Sequence, residues 1–137
     1  MKSLKEYIKG NTAWIFTVIK PGSLDLTTDV VKEFAKEGWK VWRTRPKRLL
    51  PSEARRLYRV HRNEDFYNDL CKYMASDVSR AIIFKKDEPM SNDIFDQVKA
   101  IKDKIREKYG ESEMRNVLHS SDSVENMERE ASIYFEL

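Results

Sequence analysis

Cysteine and histidine are scarce in this chain, and their scarcity excludes two kinds of site. One cysteine, Cys71, in 137 residues supports neither an internal disulfide framework nor a cysteine-based zinc site. The two histidines, His61 and His119, lie too far apart to give metal-ligand spacing. Cys71 sits in Leu70-Cys71-Lys72-Tyr73-Met74, where it reads as a packed small hydrophobe rather than a nucleophile. Long apolar runs are also missing. The longest, around 13–19 and 81–84, are strand-sized rather than membrane-spanning, and Met1-Lys2-Ser3-Leu4-Lys5 lacks the apolar segment of a secretory signal. The expectation is a cytoplasmic protein that does not enter the membrane.

What is present supports one domain over residues 1–137 with a polar N-terminal extension, 1–12. The hydrophobic fraction of 40% is enough for a single core, and 36% charged residues with a mean hydropathy of −0.70 make the chain soluble. The net charge of +3 conceals a segregation. Residues 40–62 carry Lys40, Arg43, Arg45, Lys47, Arg48, Arg55, Arg56, Arg59 and Arg62 against Glu53 alone. Such a surface attracts polyanions, and nucleotides or nucleic acids both fit.

Taken in order, 13–19 is rich in aromatic and β-branched residues, as a buried central strand is, and it stops at the turn signal Lys20-Pro21-Gly22. A lysine ending an interior strand needs a reason, because burying an unpaired ammonium is costly; a phosphate is one. Thr27-Thr28-Asp29 opens an amphipathic helix through Val30, Val31, Phe34 and Ala35 that Gly38 stops. Residues 39–45 read as a second strand ended by Pro46. Pro51-Ser52-Glu53 opens a helical stretch through Ala54, Leu57, Tyr58 and His61, the last read as structural or exposed. A further helix runs from Asp65 to about Ser76, and 78–84 is a third strand. Ile94, Val98, Ile101, Ile105 and Tyr109 recur at helical spacing and predict one continuous helix of about 15 residues ending at Gly110, with Lys99, Lys102 and Arg106 as a basic stripe on another face. Residues 131–135 read as a last strand. The resulting order is the β-α-β-β-α-β ferredoxin-like pattern of an α+β domain, an antiparallel sheet covered by helices.

Before the last strand comes Asn116-Val117-Leu118-His119-Ser120-Ser121-Asp122-Ser123-Val124-Glu125. Asp122 or Ser121 can cap a helix here, with Glu125 completing a capping box. A histidine facing a helix start is kept neutral and nucleophilic, and the same amides would receive a phosphoryl group.

This stretch resembles the active-site signature of nucleoside diphosphate kinases, Asn-x-x-His-(Gly/Ala/Ser)-Ser-Asp-Ser, with the family's downstream glutamate at Glu130. Val-Ile-Lys-Pro, ending at Pro21, is similar to that family's strand-ending Lys-Pro, with Gly22 where an Asp is usual. Residues 58–67 resemble its Tyr-x-x-His-x-x-x-x-Phe-(Phe/Tyr), with Glu64-Asp65 where Arg-Pro or Lys-Pro is usual. The resemblance implies a ferredoxin-like fold and ping-pong transfer of a γ-phosphoryl from ATP or another nucleoside triphosphate to a diphosphate. It casts His119 as the phosphorylated residue, Glu130 as the group orienting its far nitrogen, and Ser121 as the support of Glu130. Lys20 and Asn116 would hold the sugar hydroxyl, Tyr58 would lie near the phosphates and Phe66 would stack on the base. Arg106 would bind phosphate, and Lys99 stands as the match for a second phosphate-binding arginine. Mg²⁺ would arrive on the phosphates rather than in a protein cage, and a homo-oligomer, at least a dimer, is implied. The family's Gly-x-Thr-Asn-Pro loop segment is missing. Two other readings remain: a nucleotide-binding module of the same fold that has lost turnover, and a nucleic-acid-binding protein using residues 40–62. The last is disfavoured by the absence of an RNP-type aromatic pattern.

Overall fold

A computed structural model describes residues 11–110 and 116–136. Most of the expected N-terminal extension lies outside the described residues. Strand β1 (Ala13–Ile19) is buried at every position, so both faces of the sheet are covered where it runs. Helix α1 (Thr27–Lys36), entered through a short 3₁₀ turn, leads to β2 (Lys40–Lys47); α2 (Pro51–Leu57), a 3₁₀ turn at Arg59–His61 and α3 (Tyr67–Ala75) follow. Then come β3 (Ser79–Lys86), α4 (Asn92–Tyr109), β4 (Leu118–Ser120) and α5 (Val124–Tyr134).

The sheet order is β2-β3-β1-β4, antiparallel throughout. This is the expected ferredoxin-like α+β arrangement. Its register sets Val18 of β1 opposite His119 of β4 and runs β3 along the other side of β1, from Ala13 opposite Lys86 to Ile19 opposite Arg80. The core is aliphatic and aromatic, with Phe34 of α1 stacked on Phe84 of β3 at 4.3 Å between centroids. Helix α4 buries Ile94, Val98, Ile101 and Ile105, the stripe its spacing predicts, and extends over 18 residues up to Gly110. Each of those side chains contributes about 1.5–3 kcal/mol on burial. Glu33 of α1, nearly buried, pins the two helices together by bonding Lys108 at 2.9 Å and Lys36 at 3.1 Å, with Lys104 at 3.8 Å. None of the described helices is long and apolar enough to cross a membrane.

Three expectations are corrected. Residues 131–135 are not a strand: they are the last turn of α5 and its exit, and the fourth strand is Leu118–Ser120, inside the histidine stretch. Buried Met127, Glu130, Ala131 and Tyr134 recur at helical spacing, and this tertiary burial overrides the β propensity of Ile133-Tyr134-Phe135. The helix is held at its end by the edge strand, since Lys47 Nζ donates to the Ile133 carbonyl at 2.9 Å and Arg45 Nη1 to that of Tyr134 at 3.1 Å. Its start is capped by Ser123, whose Oγ accepts from the Asn126 amide at 3.1 Å, rather than by Ser121 or Asp122. Pro46 does not end β2, which continues to Lys47; β2 lies at the sheet edge, where a missing N–H need not interrupt a ladder.

Candidate active site

The elements converge on a cavity of about 330 Å³ lined by Lys20, Tyr58, His61, Lys102, Arg106, Asn116, His119, Asp122 and Glu130, among others. A larger hollow of about 450 Å³, lined by Arg55, Asn68, Cys71 and Lys72, has no comparable group of titratable side chains.

Strand β1 delivers Lys20 to its end. Pro21 and Gly22 then turn the chain away: the Ser23 amide donates to the Lys20 carbonyl at 3.1 Å and Gly22 has φ +85°, a type II turn that needs glycine at this corner. Gly22 therefore answers a backbone demand. The Lys20 ammonium, 3% exposed, donates to Asn116 Oδ1 at 2.7 Å. Burial, with Arg106 and Lys102 nearby, lowers its pKa to about 7.

Between Asn116 and His119 the backbone makes a tight reversal. Val117 is buried with φ +79°, a conformation strained for a β-branched residue, and the Leu118 amide donates to the Asn116 carbonyl at 3.0 Å across it. The Lys20 amide donates to the Val117 carbonyl at 2.8 Å, tying the strained residue to the end of β1. Such strain persists only where the surroundings hold it, and here it accompanies two cavity-lining side chains, Asn116 and His119.

His119 Nε2 is hydrogen-bonded to Glu130 Oε1, and Ser121 Oγ donates to the same oxygen at 3.2 Å. Glu130 Oε2 receives Arg129 Nη2 at 3.5 Å. A carboxylate accepting from Nε2–H fixes the tautomer and leaves the Nδ1 lone pair as the ring's nucleophile. The pKa of the imidazole is held below the usual histidine value, the direction expected, with a different cause: burial lowers it, Glu130 opposes that, and Lys20 and Lys102 add to the lowering. Tyr58 sets its ring edge-on to the imidazole, 5.0 Å between centroids. Its hydroxyl is buried without a hydrogen-bond partner among the described residues, and burial raises its pKa well above the usual phenol value. Arg106 is anchored by Nη2 donating to the Leu118 carbonyl at 2.9 Å.

The structure thus brings together His119, Glu130, Lys20, Tyr58, Arg106 and Asn116, with Ser121 one hydrogen bond behind. Two residues stand apart. Phe66 is 46% exposed and off the lining, its ring 5.5 Å from that of His61. Lys99 points its ammonium to Asp103 at 3.1 Å on the exposed face of α4 and does not line the cavity. Six lining residues had no site role in the sequence reading: Lys102, Asp122, His61, Val60, Leu70 and Ser120. Lys102 was legible as the residue one turn before Arg106 on the same stripe, and its pKa is lowered to about 8 by burial and then by Arg106.

Known proteins resemble this chain in sequence and fold. The family model described as nucleoside diphosphate kinase matches residues 14–137. The nucleoside diphosphate kinase of Hyperthermus butylicus is 32% identical over 127 residues, covering 88% of this chain and 89% of that protein. That of Methanosphaera stadtmanae is 31% identical over 129 residues, covering 88% and 84%. In fold, the chain resembles the crystal structure of the Aquifex aeolicus nucleoside diphosphate kinase, with a TM-score of 0.78 and 22% identity over 91% of this chain and 96% of that one. With the match running from β1 through the histidine strand to the C-terminal helix, the chain belongs to the nucleoside diphosphate kinase family.

Proposed function

We propose that the protein moves the γ-phosphoryl of a nucleoside triphosphate to a nucleoside diphosphate through a phosphohistidine at His119. The observation that carries this reading is the commitment of Nε2 to Glu130, which leaves Nδ1 as nucleophile in a cavity ringed by Lys20, Lys102 and Arg106. In the first half-reaction the Nδ1 lone pair attacks the γ-phosphorus in line. The N–P bond forms, the bond to the β-phosphate oxygen breaks, and a diphosphate leaves with the electron pair. Positive charge arising on the ring is met by Glu130 across Nε2–H, itself held by Ser121 and Arg129. Lys20, Arg106 and the unpartnered Tyr58 hydroxyl face the equatorial oxygens, where charge is spread in the transition state. The second half-reaction reverses these steps with a new diphosphate.

The described residues offer no group of three His, Cys, Asp or Glu able to hold a metal ion. Asp122, the lining carboxylate not bonded to His119, suits a hydrated Mg²⁺ already bound to phosphates. Such an ion, when bound, neutralises phosphate charge. Lys20 and Asn116, joined at 2.7 Å, present an ammonium and an amide to a sugar hydroxyl.

The place of Lys99, bonded to Asp103 and off the lining where a second phosphate-binding arginine was expected, favours a second reading, a nucleotide-binding module of the same fold that has lost turnover. Incubation with γ-labelled ATP and Mg²⁺, an alkaline gel and a chase with unlabelled dGDP separates the two. A kinase shows an acid-labile band that the chase discharges into dGTP and that His119→Ala lacks. Retained nucleotide binding with no band selects the second reading.

A further inference from the structure

Lys102 sets a further cation beside Arg106 on the wall of the cavity. It stands four residues before Arg106, so the two cations leave one face of α4 a single turn apart, a spacing at which like charges repel and destabilise a helix. Lys102 is half-buried on the lining and has no hydrogen-bond or ion-pair partner among the described residues. The carboxylates near it are engaged: Asp103 Oδ2 takes Lys99 at 3.1 Å, and Asp122 Oδ1 accepts from Asn126 Nδ2 at 2.6 Å. From the end of β1, Lys20 brings a third cation to the same space. Burial first and then Arg106 bring Lys20 to about 7 and Lys102 to about 8, the latter against the opposing pull of Asp103 and Asp122. A chain of phosphates is the ligand that converts this repulsion into attraction.

We propose that Lys102 is a phosphate-contacting residue of this site, binding the non-transferred phosphates while Lys20 and Arg106 serve the phosphoryl group beside His119. The division follows from position. Arg106 is tied to the Leu118 carbonyl next to His119, and Lys102 lies four residues, about 6 Å, back along α4. The inference rests on reading this cavity as a phosphate site but not on turnover. It has a consequence that a structural lysine would not: filling the cavity with a polyanion draws protons onto Lys20 and Lys102, so binding near pH 8 takes up protons.

The test is titration calorimetry of ADP and of inorganic tripolyphosphate at pH 8 in two buffers of different ionisation enthalpy, paired with steady-state kinetics. Lys102→Met should weaken both probes about tenfold or more, the worth of one charge-assisted contact. It should also reduce the proton uptake and raise KM more than it lowers kcat. Lys102→Arg should restore affinity with less proton uptake than the wild type, because guanidinium is always charged. Lys32→Met, at an exposed position on α1, controls for net charge and should change neither. Unchanged affinity and proton uptake in a folded Lys102→Met overturn the inference even if phosphotransfer is present. Loss of tripolyphosphate affinity in Lys102→Met upholds it even if no phosphotransfer is found. Failure of the wild type to bind either probe overturns it together with the phosphate reading.

Discussion

Arg106 Nη2 donates to the carbonyl of Leu118 at 2.9 Å, so the helix carrying the cavity's cations is fastened to the strand carrying its histidine. One arm of the guanidinium is used for architecture, and its Nε is buried without a hydrogen-bond partner among the described residues on a side chain that lines the cavity. Lysine lacks a second arm and cannot do both. Arg106→Lys should therefore lower kcat/KM for phosphotransfer about 10- to 100-fold, one or two charge-assisted contacts, while the protein stays folded. Coupled-assay kinetics and thermal unfolding of the same variant check the two halves of that statement.

His119 and Glu130 set the acid limit of the proposed reaction. A buried imidazole holds its proton less tightly than a free one, so the loss of kcat/KM on acidification should set in below the usual histidine value of about 6.5. Glu130 counteracts the lowering, and its removal should push that limb further toward acid. Glu130→Gln should thus retain the neutral nucleophile at lower pH and still be slower, by about 10- to 100-fold at its plateau, because the imidazolium formed during transfer loses its counter-charge. A pH–rate profile of the variant whose acid limb moved upward would contradict this account.

The sequence reveals much of this site because its chemistry is local. Asn116, His119 and Ser121 fall within six residues, and a signature that dense survives any error about the elements around it. The C-terminal strand was misread for the opposite reason. Ile133-Tyr134-Phe135 has β-forming side chains, and only the burial of Met127, Glu130, Ala131 and Tyr134 on one helical face, known from packing, reverses that preference. Lys99 and Lys102 show a finer limit. Both lie on the stripe that leads to Arg106, and periodicity fixes the face of a side chain but not its height. Seven residues are about 10 Å along a helix axis, enough to carry Lys99 out to the solvent and to Asp103, whereas Lys102, four residues away, reaches the cavity. A lowered histidine pKa was expected from a helix start, whereas burial, a property of the assembled core, is its largest cause.

Lys20 gives the clearest case of a buried charge that costs stability. Its folded pKa of about 7 lies far below the usual lysine value near 10.5, so the unfolded chain binds this proton more readily than the folded one. Above pH 10.5 the group is neutral in both states and costs nothing. As the pH falls toward 7 the unfolded state is protonated first and the folded state loses stability; below about 7 the loss is complete. Removing the ammonium should then stabilise the ligand-free protein at neutral pH. Lys20→Met is expected to gain about 1–3 kcal/mol there, less than the full linkage because Asn116 Oδ1 loses its donor. The gain should shrink as the pH is raised toward 10.5, and phosphotransfer should be lost at every pH. Thermal unfolding of both proteins between pH 7 and 10.5 measures the difference. A variant less stable than the wild type at pH 7, or equally favoured at both ends of the range, would show that the buried ammonium is not under the strain its surroundings imply.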